Sequence, residues 1–211
     1  MTRRRITRGA VGATAAVLAL GALQGASAVG ADRETEGVGS SSSATTTSKV
    51  CVGTQPEGRL PSWGPKGSYP DDTPLYRTLA YVDKRAKDRP GIFTGLAIDD
   101  ENLALDVYRV PGHAQEKFDA DICGTAEKGV TLRLYDTDVT ERGLKRLVDR
   151  ISGDMERWKG TFMIWSVGMD SHRVHVGVSD VAKAEPILRE TYGEELMKHI
   201  VVEQEEQASI D

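Results

Sequence analysis

The fold turns on one stretch: Phe162-Met163-Ile164-Trp165-Ser166-Val167-Gly168-Met169, then Asp170-Ser171-His172, then Arg173-Val174-His175-Val176-Gly177-Val178. Val174, Val176 and Val178 alternate with His175 and Gly177, the two-residue period of a strand with one buried face. Phe162 to Met169 reads as its partner strand, and Asp170-Ser171-His172 as the turn between them. Beyond the hairpin, Val181, Ala184, Ile187 and Leu188 recur at helical spacing, which predicts a helix from Val181 to Tyr192 with Gly193 as its stop. His199 to Glu203 then reads as a returning strand.

The preceding residues give the same order of elements. Asp72 or Thr73 caps a helix with Pro74 at its first position. Leu75, Leu79, Val82 and Ala86 fall on one side of it, and Arg89-Pro90-Gly91 ends it. Two strands, Ile92 to Ile98 and Leu103 to Val110, flank the turn Asp99-Asp100-Glu101-Asn102, and Pro111-Gly112 breaks the second. His113 to Ile122 reads as a short helix and Val130 to Tyr135 as an alternating strand. A longer helix opens at Thr140 and runs to Trp158, burying Leu144, Leu147, Val148, Ile151 and Met155, until Lys159-Gly160 stops it. Two halves, 73–136 and 140–203, therefore share the order helix, strand, acidic turn, strand, helix, strand. Ile98-Asp99-Asp100 corresponds to Met169-Asp170-Ser171. The expected class is α+β: small antiparallel sheets with helices on one face, in two α-β-β-α-β copies.

The motifs Ser166-Val167-Gly168-Met169-Asp170, Arg173 to Val178, Leu188 to Gly193 and His199-Ile200-Val201-Val202 resemble the pro-regions of streptogrisin and α-lytic-type secreted serine endopeptidases. Those small α+β units act as folding chaperones and inhibitors of the attached protease, so the resemblance implies binding to a protease or another secreted protein. The departure is the protease itself. The chain ends at Asp211 and carries no Gly-x-Ser-x-Gly.

The N-terminal segment concerns export. Arg3, Arg4, Arg5 and Arg8 precede an apolar, small-residue run from Gly9 to Gly25 and an Ala26-Ser27-Ala28 cleavage pattern, the order of a secretory signal peptide spanning 1–28, with cleavage after Ala28. Thr2-Arg3-Arg4-Arg5-Ile6 also resembles a twin-arginine signal, so both export routes stay open. The run is too dilute for a permanent membrane span, and no membrane association is expected once the signal is gone. Loss of four Arg and no acid changes 27 basic and 32 acidic residues to 23 and 32, a net charge of −9. Such a surface repels nucleic acid.

Residues 29–50 are rich in Ser, Thr and Gly and read as a disordered tether. Residues 51–72, with Pro56, Pro61, Pro65 and Pro70, read as an extended segment over the domain, anchored by Trp63 and Tyr69. Residues 204–211 form an acidic tail. Cys51 and Cys123 are the two cysteines, an even pair expected to form one disulfide in an oxidising compartment.

No catalytic set stands out. On a strand, the odd spacing of His172 and His175 directs them to opposite faces, which argues against shared metal ligation. His113 and His199 lack close ligand-like neighbours. Asp99-Asp100-Glu101, Asp119 with Asp121, and Asp136 with Asp138 match no calcium loop and are expected as turns and caps. Asp170-Ser171-His172 contains the residue types of a hydrolytic triad, but sequence neighbours on a hairpin cannot form its hydrogen-bond chain. Phe162, Trp165 and Tyr192 are expected in the core, with Trp165 also weighed as a surface anchor. The reading is a secreted protein with no cofactor and no metal, whose function is to bind another secreted or envelope protein. Its candidate surface is the exposed edge of a small sheet or the unit from Phe162 to Glu203, with Trp165, His172 and His175 as candidate binding residues. An extracellular hydrolase with a scattered site and a passive envelope protein are the rival readings.

Overall fold

The computed structural model describes residues 47–62 and 72–206. The signal segment with Ala28, most of the expected tether, Trp63, Tyr69 and the end of the acidic tail lie outside the described residues.

The first half opens with α1, Pro74–Lys87, whose Thr73 hydroxyl accepts the Tyr76 N–H at the N-terminus. The hairpin β2, Phe93–Asp99, and β3, Ala104–Arg109, follows, then α2, His113–Thr125, and β4, Thr131–Asp136. The second half has the same order: α3, Glu141–Asp154, the hairpin β5, Ile164–Met169, and β6, Val174–Val178, then α4, Val181–Tyr192, and β7, Ile200–Gln204. A short α5, Glu194–Met197, lies between α4 and β7. In both halves the hairpin is antiparallel and the helix returns the chain parallel to the second hairpin strand. Each hairpin also carries a register shift early in its first strand.

The α+β class is what the structure shows, with one difference in detail: both sheets are mixed rather than antiparallel throughout. A strand that follows a crossover helix re-enters the sheet from the same end as its predecessor, so β4 and β7 pair in parallel with β3 and β6. A second difference lies at the N-terminal boundary. Thr47 to Val52, placed by the sequence in the tether and the start of the extended segment, forms strand β1, antiparallel to β4, giving a four-stranded sheet in the order β1-β4-β3-β2. Its side chains are nearly all exposed, so it carries none of the apolar alternation that marks a strand in sequence. Two smaller differences concern helix ends. The helix expected to reach Trp158 tightens into a 3₁₀ turn over Met155–Trp158, and α5 is too short to show a period.

Helices cover one face of each sheet. In the first half Leu105, Val107, Leu132 and Leu134 meet Leu75 and Val82 of α1 and Phe118 and Ile122 of α2. In the second, Val174, Val176 and Val178 meet Leu144, Leu147 and Ile151 of α3 and Ala184 and Leu188 of α4, with Trp158, Phe162 and Tyr192 in the same core. Trp165 is half-buried and outside that core. The opposite faces carry polar groups. Asp99, Asp106 and Arg133 form an ion-paired ladder across β2, β3 and β4.

Three fasteners hold the periphery. The Cys51–Cys123 disulfide, with Cα atoms 5.8 Å apart, ties β1 to α2. Arg109 joins Asp119 of α2, Asp136 of β4 and Ser48 of β1. The fully buried carboxylate of Glu127 accepts the N–H groups of Gly58 and Leu60 and the Arg77 guanidinium, fixing the segment that follows β1.

Candidate functional site

The polar side chains of the second sheet converge around the β5–β6 turn. Asp170 Oδ1 accepts the backbone N–H groups of His172 and Arg173, both at 2.8 Å, which shapes the turn. Its other oxygen lies 2.9 Å from His175 Nε2, while His175 Nδ1 lies 3.0 Å from Glu203 Oε1 on β7. With a carboxylate at each ring nitrogen, both nitrogens must donate, so the geometry calls for the imidazolium. The pKa of His175 is accordingly raised: the hydrogen bond to Asp170 is the largest contribution, burial opposes it, and Glu203 adds to it. Burial works against the charge of Asp170, but the His172 N–H, His175 and the Arg173 N–H outweigh it and hold its pKa down.

His172 points elsewhere. Its ring stacks on Tyr108 at 4.3 Å and 5°, and Tyr108 stacks on Tyr135 at 5.0 Å and 17°. Tyr108 and Tyr135 are register partners on the parallel strands β3 and β4, hence side by side on the polar face of the first sheet. The turn of the second half therefore caps a ring stack rooted in the first. Gly95, paired with Tyr108 across β2 and β3, makes room for it: a Cβ there would lie 1.8 Å from the Ser171 carbonyl oxygen. Burial lowers the His172 pKa, with Asp170 opposing, and raises that of Tyr108.

Hydrolytic chemistry does not fit this turn. Ser171 Oγ and Asp170 Oδ1 both approach His172 at Nδ1, at 3.3 and 3.7 Å. A relay needs the acid and the nucleophile on opposite ring nitrogens. Among the described residues, no three His, Cys, Asp or Glu side chains are grouped as metal ligands.

The acidic clusters that the sequence placed in turns and caps divide. Asp99 does shape its turn, accepting the Asn102 N–H, and it also pairs with Arg133. Asp119 and Asp136 hold Arg109, Asp121 holds Arg85, and Asp138 holds Lys198 beside His199. Their partners are distant in sequence, which is why spacing alone did not reveal them. Tyr108, Tyr135 and Glu203 were missed for the same reason. Gly95 inside a strand was the one available sign that another backbone comes close.

The second sheet, ordered β5-β6-β7, leaves β7 at an edge. Val174 N–H bonds the His199 carbonyl and Glu205 N–H bonds the Val178 carbonyl. By the period of two in a parallel ladder, the backbone groups of residues 199, 201, 203 and 205 face β6. Those of Ile200, Val202 and Gln204 face outward. In the first sheet the corresponding edge, that of β4, is occupied by β1.

Comparison with known proteins gives no matching family model, no matching curated protein and no matching solved structure. Among the described residues no helix is long and apolar enough to cross a membrane, and the two cysteines are joined.

Proposed function

We propose that the chain is a secreted binding protein that takes a strand of an extracellular partner onto the free edge of β7. The observation that carries this reading is the difference between two sheets of the same connectivity: β4 has an antiparallel strand on its outer edge, and β7 has none among the described residues. We read the two halves as copies of one unit, with the fourth strand position filled from within in the first and left for a partner in the second. Strand addition uses main-chain hydrogen bonds for affinity and alternating side chains for selectivity. The resemblance to protease pro-regions points to a secreted serine protease as the partner class, with inhibition or assisted folding as the outcome. Export by the expected signal and the disulfide both suit an oxidising extracellular setting.

The test is an inhibition assay of secreted serine proteases with the disulfide-bonded protein, alongside Val202→Pro. Val202 presents its N–H outward, so proline removes an edge donor without breaking the β6–β7 ladder. A stoichiometric complex with loss of protease activity, abolished by Val202→Pro, is expected. No complex with any protease, together with hydrolytic activity of the purified protein itself, would overturn the reading in favour of an enzyme.

A further inference from the structure

Resting on the strand-addition reading, we infer that the partner strand is basic, with Lys or Arg alternating with apolar residues. The two faces of β7 make different demands on a neighbour. Ile200 is buried in the second core and Val202 packs against it, so an incoming strand must present apolar groups on that side. Val201, Glu203 and Glu205 fall on the opposite face by the period of two. There, Glu203 shares His175 with Asp170, so one imidazolium serves two carboxylates. Glu205 meets a hydroxyl, that of Ser166, rather than a cation. Its carboxylate lies across Gly177, where any Cβ would overlap it. The residues from Ile200 to Glu206 include Glu203, Glu205 and Glu206 and no Lys or Arg.

A neighbour with acids opposite these positions would be repelled, and one with bases attracted. Lys and Arg side chains are long enough to reach over β7 to carboxylates that lean toward β6 and β5. The net charge of −5 on the whole chain adds a long-range attraction for the same partner.

The experiment titrates the disulfide-bonded protein with three synthetic peptides of equal length, alternating Val with Lys, Val with Thr and Val with Glu. The Val-Lys peptide is expected to bind tightest and the Val-Glu peptide weakest, with the gap closing as salt rises. Glu203→Gln and Glu205→Gln are each expected to weaken Val-Lys binding about two- to fivefold and to leave Val-Thr binding unchanged. Val202→Pro, or Gln204→Pro at the strand end if the first variant fails to fold, is expected to abolish all three. Equal affinities that are lost in the proline variant would overturn the basic strand and leave strand addition standing. Binding that survives the proline variants, or no binding by any peptide, would overturn both.

Discussion

Gly95→Ala tests how the two halves are joined. A Cβ at Gly95 would lie 1.8, 2.6 and 2.8 Å from the O, C and Cα atoms of Ser171. These are backbone atoms of a turn held by Asp170, so no side chain can swing aside. Reaching ordinary contact at 3.4 Å moves the turn by roughly 1.6 Å. That displacement breaks the 4.3 Å stack of His172 on Tyr108, at a cost of about 0.5–1.5 kcal/mol. Forcing the two backbones apart also strains them, at about 1 kcal/mol, the low end for an overpacked contact. Alanine restricts the unfolded chain and offsets about 0.4–1 kcal/mol. The net loss is about 1–2 kcal/mol, a fall in Tm of about 2–8 °C for a chain of this size. Thermal unfolding followed by circular dichroism reads it. Gly168→Ala, a strand glycine with nothing within 4 Å of its Cβ position, is the control. A Gly95→Ala protein that melts with the wild type would refute the argument. So would full additivity with His172→Ala, because both changes remove the same stack.

Three further outcomes are expected. The native protein should show no free thiol, and reduction of Cys51–Cys123, which spans 72 residues, should cost up to about 4 kcal/mol. Denaturant midpoints with and without reductant measure that loss, and hydrogen exchange should show Thr47–Val52 released first. For His175, the folded pKa is raised above 6.5, so its protonation stabilises the fold below pH 6.5 and that contribution is lost as pH rises through the folded value. Burial depresses the pKa of His172 and of His199, so their contributions run the opposite way and are lost as pH falls. The wild type should therefore lose stability relative to His175→Gln on going from pH 6 to pH 9, and parallel Tm profiles for the two proteins would sink the pairing of a protonated His175 with Asp170 and Glu203. Glu127→Gln leaves Arg77 without its buried counter-charge and should destabilise by about 3 kcal/mol. It should also expose residues 53–62 to limited proteolysis, since Gly58 and Leu60 donate to that carboxylate.

Much of the secondary structure could be read from local pattern. Helix α4 occupies the residues expected of it, Val181–Tyr192, with Asp180 as cap and Gly193 as stop. The cap at Thr73 and the Pro74 that follows mark the start of α1 in the same way. The valines of β6 lie inward as their alternation requires. These features depend on side chains within a few residues of one another and on one buried face, and both leave a period in the sequence. The disulfide pairing was legible because two cysteines admit one pairing.

What the sequence determined by itself, then, is the order of helices and strands, which face of each is apolar, and the pairing of Cys51 with Cys123. The tertiary structure decided the rest. It added β1 to the first sheet, although its exposed side chains carry no alternation, because β4 had an edge to offer and the disulfide held the chain beside it. It set Glu203 against His175 across 28 positions and Glu127 against Arg77 across 50. It placed His172 on Tyr108, with Gly95 allowing the approach. A carboxylate is drawn to a cation or an N–H wherever the chain brings one within reach, and no period in the sequence records that distance. Covalent geometry and hydrophobic period are local and can be read along the chain, whereas ion pairs, ring stacks and free sheet edges exist only once the chain has folded.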